Sequence, residues 1–239
     1  MTLKDFFPRL FSFTYRATIR KILPVRKYVR YNNVNVEPIK ALDRYFSYFP
    51  KPMIDIPDYE DAIVDALDQY ITRGDIVVVI GGGYGVSVVK ALQKIGVTGQ
   101  LFCYEGSKEY CRYVRDSISY NEHLVPENKI VVANNFVGSP EHVYGSSGVG
   151  LPIEKLPVCD VLELDCEGAE KVILSKLLYT PRIIIVETHG LYGASTKDVK
   201  AILCDKGYVI VSEKVAERNH RSRCLEEDIM VLVGIRKDA

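Results

Sequence analysis

Two groups of residues in this chain have the types and spacing that chemistry requires. The first is Asp165, Glu167 and Glu170, with Glu187 and His189 further along. Carboxylates beside an imidazole can accept, hold and pass a proton in the neutral range. His189 is the better general base by its ordinary pKa and Asp165 by its position, so His189 is expected to take a proton and Asp165 to orient it. A histidine at a strand end is also a common structural group, and Glu167 and Glu170 also read as acids that favour a helix start. Asp165, Glu167 and His189 can together surround a divalent cation such as Mg²⁺, but oxygen-rich helix starts occur without one and no metal is assigned.

The second group is Gly81, Gly82, Gly83, Tyr84 and Gly85. Glycines let a backbone approach a ligand closely, and amides at a helix start favour an electron-rich group. About 20 residues on, Glu105 ends another apolar run, where its carboxylate can accept hydrogen bonds from both hydroxyls of a ribose. Glu105, its neighbour Gly106 and Asp165 join Gly81 to Gly85 as expected cofactor-binding positions. Asn134 and Asn135 are candidates to read an adenine edge, or else an ordinary turn pair.

These residues must be positioned by alternating strands and helices. Ile76 to Ile80 is a buried apolar run entering the glycine turn, and Val86 to Ile95 has helical spacing with Gly96 as a stop. Asp58 reads as the cap of a preceding helix, and Ser107 as the cap of a helix reaching about Asn121. Further strands are expected at Leu101 to Tyr104, Lys129 to Ala133, Val158 to Leu164 and, ending in polar residues, Pro181 to Gly190. The last two, Tyr208 to Ser212 and Asp228 to Ile235, lack a helix between them and suggest an antiparallel pair at one edge. Residues 138–151 are rich in glycine and serine and read as a loop covering a ligand site. The fold expected is α/β and Rossmann-like, a mostly parallel seven-stranded sheet with one antiparallel edge strand and helices on both faces. Ligands bind such sheets at the carboxyl ends of the strands, which gathers both groups along one rim.

The glycine spacing separates two nucleotide-like ligands. A dinucleotide loop asks for G-x-G-x-x-G, yet the sixth place from Gly81 is Val86 and from Gly83 is Val88. Gly81-x-Gly83-x-Gly85 instead resembles the first motif of class I S-adenosylmethionine (SAM) methyltransferases. Together with Asp165-Cys166-Glu167-Gly168-Ala169-Glu170 and Glu187-Thr188-His189, the chain resembles the FkbM-type family of SAM-dependent methyltransferases over residues 58–236. That resemblance implies SAM as cofactor and methyl transfer to a hydroxyl oxygen, commonly of a sugar, glycan or polyketide. The family usually has an acid where Val79 stands and an asparagine where Gly83 stands, so a contact near the methionine amino group is missing. A catalytically silent SAM-binding scaffold and an NAD-dependent oxidoreductase are the alternatives. A base-directed DNA methyltransferase is disfavoured because Asp165-Cys166-Glu167-Gly168 replaces the proline-bearing loop of those enzymes.

With 239 residues, 47% hydrophobic and 26% charged, the chain has material for one sizeable core. Its six cysteines form no C-x-x-C pair, which indicates reduced core residues in the cytoplasm and not a disulfide frame or zinc site. The net charge of zero is uneven: residues 1–30 carry eight Lys and Arg against Asp5 alone. Interleaved with Phe6, Phe7, Leu10, Phe11 and Phe13, those cations have the composition of a helix able to lie at an anionic membrane surface. Packing on its own domain or on a twin subunit, as in a homo-oligomer, is the other reading. No basic stripe elsewhere points to nucleic acid. Residues 1–57 are thus expected to be a helical extension with an irregular, proline-bearing connector, and residues 58–239 the methyltransferase domain with a small-molecule or glycan acceptor.

Overall fold

The computed structural model describes residues 14–15, 18–43, 54–125 and 129–237. In chain order the main elements are α1 (Ile19–Ile22), β1 (Val25–Tyr31), β2 (Val34–Lys40), α2 (Asp61–Tyr70), β3 (Ile76–Ile80), α3 (Val86–Ile95), β4 (Gln100–Tyr104) and α4 (Lys108–Tyr120). There follow β5 (Lys129–Ala133), β6 (Asn135–Val137), β7 (Val149–Leu151), β8 (Val161–Leu164), α5 (Glu170–Lys176) and β9 (Ile183–Glu187). The chain ends in α6 (Thr196–Asp205), β10 (Tyr208–Val215), α7 (Arg221–Glu227) and β11 (Met230–Arg236).

The main sheet has seven strands in the order β10-β11-β9-β8-β3-β4-β5. β3, β4, β5, β8 and β9 run parallel, and β11 runs against both β9 and β10. A strand buried on both faces reads as a continuous apolar run, and β3, with the sequence IVVVI, is the central case. One face packs Leu67 of α2 and Leu92 of α3 over Val77, Val79 and Val161. The opposite face packs Ile173 and Leu174 of α5 and Leu203 of α6 over Leu162, Leu164 and Ile184. The chain leaves β3 toward β4 and β5, then returns to place β8 and β9 on the other side. Strand order therefore reverses between β3 and β8, and the crevice at their carboxyl ends is where such a sheet receives a ligand. This strand order with a reversed β11 is the class I SAM methyltransferase fold.

The structure departs from the sequence reading in four places. Residues 25–40 are a β-hairpin, not a helical arm or irregular connector. Its turn is Asn32-Asn33, both with positive φ, 46° and 64°, the conformation a two-residue turn between twisted strands requires. Val29, Val34 and Val36 bury against Val86 and Val89, and the buried Asn121 side chain bonds both the amide and the carbonyl of Asn35. Before the hairpin, the described residues include helical Thr14-Tyr15 and the single turn α1. A short helix is also expected near Ile39 to Tyr45, but Ile39 and Lys40 end β2, and residues 44–45 lie outside those described, as does about half of the expected membrane-facing arm. Next, the helix expected to start at Asp58 starts at Asp61, because Glu60 adopts a left-handed φ of 51° and breaks the run. Third, Val149–Leu151 pairs in parallel with Asn135–Val137, giving the glycine-rich segment a regular edge. Last, β10 reaches Val215 and α7 lies between β10 and β11, where no helix is expected. All six cysteines are free thiols. Among the described residues no helix is long and apolar enough to cross a membrane.

Candidate active site

The glycine turn is fixed by close approach. Gly81 has φ 94°, and a Cβ there would lie 1.6 Å from the Asp165 carbonyl oxygen. Any side chain at this position would force β3 and the end of β8 apart. Gly85 has φ 84° and opens α3, while a Cβ on Gly82 would meet Val114 Cγ2 at 2.6 Å. Gly83, with φ 50°, is less crowded: a Cβ there would make ordinary contact with Glu60 Oε1 at 3.6 Å and the Tyr59 hydroxyl at 3.9 Å.

Glu105 ties the turn to β4. Its Oε2 accepts hydrogen bonds from the Gly82 and Gly83 amides at 2.8 and 3.1 Å, and its Oε1 accepts one from the Ser107 amide at 2.7 Å. The side chain is buried, with the residue 8% exposed, so it does not face bulk water. Burial pushes its pKa up, and these amides offset part of the rise. A carboxylate has about four acceptor positions, so one remains for a ligand hydroxyl. Gly81, Gly83, Tyr84, Gly106, Asn135 and Glu105 all line a cavity of about 160 Å³. Asn134 is engaged differently: its amide nitrogen donates to the Glu105 and Gly106 carbonyls at 2.9 and 3.1 Å and so braces the loop. Asn135 donates to the Val149 carbonyl at 2.8 Å.

At the ends of β8 and β9 the other group converges on His189. The ring is buried, its side chain 6% exposed, and its Nδ1 lies 2.9 Å from Glu170 Oε1. Glu170 Oε1 also accepts the Cys166 and Gly168 amides, which fixes the carboxylate and through it the ring. Nε2 faces Asp165, Glu167 and Glu187 carboxylate oxygens at 3.6, 3.5 and 3.6 Å. Burial pulls the His189 pKa down, but Glu170, Asp165 and Glu167 more than offset it and hold it at about 9. Those carboxylates favour the doubly protonated ring, which can then face them with a proton on Nε2. Asp165 is pushed up to about 7 by burial, opposed by His189 and aided by Glu167.

The acids extend beyond the predicted set. Glu60 is pushed up to about 8 by burial and then by Asp165. Glu187 is raised by burial and then by Asp165, and Glu163 by burial and then by Asp165 and Glu60. Glu163 is 0% exposed in β8, and neither of its carboxylate oxygens has a hydrogen-bond partner among the described residues. Glu60 and Glu167 both have left-handed backbones, φ 51° and 53°, the kind of strain that collects at binding sites. Nothing in the local sequence marks Glu60, since its role depends on where α2 docks. A second cavity, of about 320 Å³, holds Glu60, Asp165, Glu167, Glu187 and His189. It adjoins the first through Tyr59, Glu60, Tyr144, Asp165 and Glu167, which line both. The loop over residues 138–151 crosses this junction: Tyr144 donates to Glu167 Oε1 at 3.1 Å, and the Gly148 amide to the Gly106 carbonyl at 2.8 Å.

The glycine turn, the buried acid beside it and the acidic chamber next door thus lie together at the carboxyl ends of the parallel strands. No protein-family model and no curated protein matches the chain. Among solved structures it is similar to a precorrin-6y C5,15-methyltransferase from Geobacter metallireducens, at 14% identity and TM-score 0.49, over 79% of this chain and 92% of that one. Aeropyrum pernix fibrillarin with natively bound S-adenosyl-L-methionine matches at 11% identity and TM-score 0.48, over 74% of each chain. Magnesium protoporphyrin IX methyltransferase from Synechocystis, with bound SAM, matches at 13% identity and TM-score 0.48, over 74% of this chain and 77% of that one. At such identities the likeness is one of fold.

Proposed function

We propose that the protein is a SAM-dependent methyltransferase acting on a hydroxyl oxygen of a sugar, glycan or lipid-linked acceptor. The observation that carries this reading is the pairing of two adjoining cavities, one at the glycine turn with Glu105 beneath it, the other at the Asp165–His189 cluster. The first suits the nucleoside: the acceptor position left on Glu105 for a ribose hydroxyl, the Gly83 backbone beside the donor, and Asn135 in the lining. Glu60, which lies alongside Gly83, is assigned the amino group of the methionine moiety, the contact that Val79 does not make. When bound there, SAM supplies an electrophilic methyl group, so that the acceptor oxygen bonds the methyl carbon as the carbon–sulfur bond breaks and S-adenosylhomocysteine leaves.

The task left to this chain is to align the acceptor and hold the proton it gives up. Alignment alone accounts for much of such a rate, because the reacting atoms must be held at about 3 to 3.5 Å. The proton passes to the carboxylates around Asp165 and Glu167, which His189 and Glu170 keep in place. Tyr59, Tyr144 and Tyr192 give the acceptor chamber flat, half-polar walls suited to a sugar ring. The basic, aromatic segment over residues 1–30 is assigned to bringing the enzyme to lipid-linked acceptors.

Calorimetry with SAM and S-adenosylhomocysteine tests the reading. Wild type is expected to bind both, Glu60→Gln to bind SAM more weakly, and Glu105→Ala to lose about 2 kcal/mol or more of binding from absent carboxylate hydrogen bonds. Binding that ignores Glu105 would remove the assignment.

A further inference from the structure

We propose that Asp165, Glu187 and His189 form a divalent-cation site of the Mg²⁺ or Mn²⁺ type at the floor of the acceptor chamber. One ligand atom from each of these side chains lies within 4.8 Å of the others. The Nε2 contacts to Asp165 and Glu187, both 3.6 Å, are too long for hydrogen bonds. They are close to the spacing of donors around a shared ion, since ligands about 2.1 Å from a metal stand about 3 to 3.5 Å apart.

The second, independent observation is the histidine itself. His189 is buried, its Nδ1 is held by the fully buried Glu170, and Nε2 has no hydrogen-bond partner among the described residues although it points into three carboxylates. A ring nitrogen oriented by a carboxylate on its far side is the usual second sphere of a metal-bound histidine. The carboxylates also lack other cations. Among the described residues no lysine or arginine pairs with Asp165, Glu167 or Glu187, and Arg223, which lines the same chamber, pairs with Glu227 at 2.9 Å. Two carboxylates with one imidazole lie where the preferences of Mg²⁺ and Mn²⁺ meet those of nitrogen-binding metals, so Mn²⁺ is the fitting probe.

Three protein donors leave positions open for water or for the acceptor oxygen. The catalytic role of the ion rests on the methyltransferase reading, because only then does the open position serve an acceptor hydroxyl. That oxygen, held by the cation, would give up its proton to Glu167, which is outside the ligand set. The existence of the site does not depend on that role.

Electron paramagnetic resonance of added Mn²⁺, with the metal-stripped full-length protein, tests the site directly. Bound Mn²⁺ should show coupling to an imidazole nitrogen, and added Mg²⁺ should displace it. Glu187→Gln is expected to weaken binding more than about tenfold, His189→Ala to remove the nitrogen coupling, and Glu170→Gln to weaken binding by about 10- to 100-fold through the ring it orients. Glu227→Gln, in the same chamber but paired with Arg223, should leave Mn²⁺ affinity unchanged. Nitrogen coupling in the wild type carries the result even if a variant fails to fold. Absence of bound Mn²⁺ at millimolar concentration, or bound Mn²⁺ without nitrogen coupling, overturns the proposal. SAM calorimetry on the same stripped protein separates the outcomes: heat from SAM without Mn²⁺ binding removes the cation site and leaves the cofactor reading in place.

Discussion

Glu105 and Glu163 are both buried acids on the central sheet, and their surroundings are opposite. Glu105 accepts three backbone amides from the turns it joins. Glu163, on β8, accepts none, and its register neighbours on the adjoining strands are Val79 and Ile185. A buried carboxylate surrounded by donors is a framework element, whereas one without them is a cost that the rest of the fold offsets. The cofactor half of the rim is therefore already satisfied by the chain's own backbone. The acceptor half gathers carboxylates whose only cationic neighbour within ion-pair distance, among the described residues, is His189, and so leaves binding capacity for a ligand or cation. Preorganisation and unmet demand lie side by side, separated by Asp165 and the strained Glu60 and Glu167.

The largest expected effect breaks the satisfied half. Gly81→Ala places a methyl group against the Asp165 carbonyl and imposes a left-handed backbone on alanine, so stability should fall by more than about 3 kcal/mol in urea unfolding. Because the same oxygen belongs to the residue that leads the acceptor cluster, both halves should fail together. A Gly81→Ala protein with near-native stability would mean that the two strands are not in close contact there.

The opposite sign is expected in the other half. Glu163→Leu replaces an unpartnered carboxylate by an apolar side chain of similar size among Val79, Ile185 and their neighbours, and should raise stability by about 1 to 2 kcal/mol. Denaturant midpoints at constant slope would measure it. Destabilisation instead would show that Glu163 has a partner in solution, and the contrast with Glu105 would close.

This contrast also separates what the sequence makes legible from what it does not. The apolar run of Ile76 to Ile80, the glycines after it and Glu105 at the next strand end are local patterns whose periods and spacings survive in the fold. Asp165 and His189 are legible because each ends a strand of the same parallel sheet, so topology alone gathers them. Glu60 is not, because its backbone conformation and its approach to Gly83 are set by the docking of α2 against distant strands. The hairpin over residues 25–40 does carry a local signal, Asn32-Asn33 between alternating side chains, but the basic and aromatic composition around it points toward a helix. The burial of Glu163 has no local signature either, since one acid within Val161-Leu162-Glu163-Leu164 looks like a strand with a solvent face.

The smallest effect expected concerns a third carboxylate, Asp43, which belongs with Glu105 in kind although it lies beside the hairpin. It accepts from the Tyr15 hydroxyl at 2.9 Å, Arg20 Nε at 3.0 Å and the Lys40 amide at 2.7 Å. Burial pushes its pKa up, but these hydrogen bonds outweigh burial and hold it below the ordinary value. A carboxyl whose folded pKa is depressed stabilises the fold above its unfolded pKa of about 3.9, and that contribution disappears as pH falls through the folded value. The stability gap between wild type and Asp43→Asn should therefore be positive at about pH 6 and shrink steadily toward about pH 3. A gap that stays constant over this range would mean that Tyr15, Arg20 and Lys40 hold the asparagine as well as the acid. The donors around Asp43 would then stabilise the fold without favouring its ionised form.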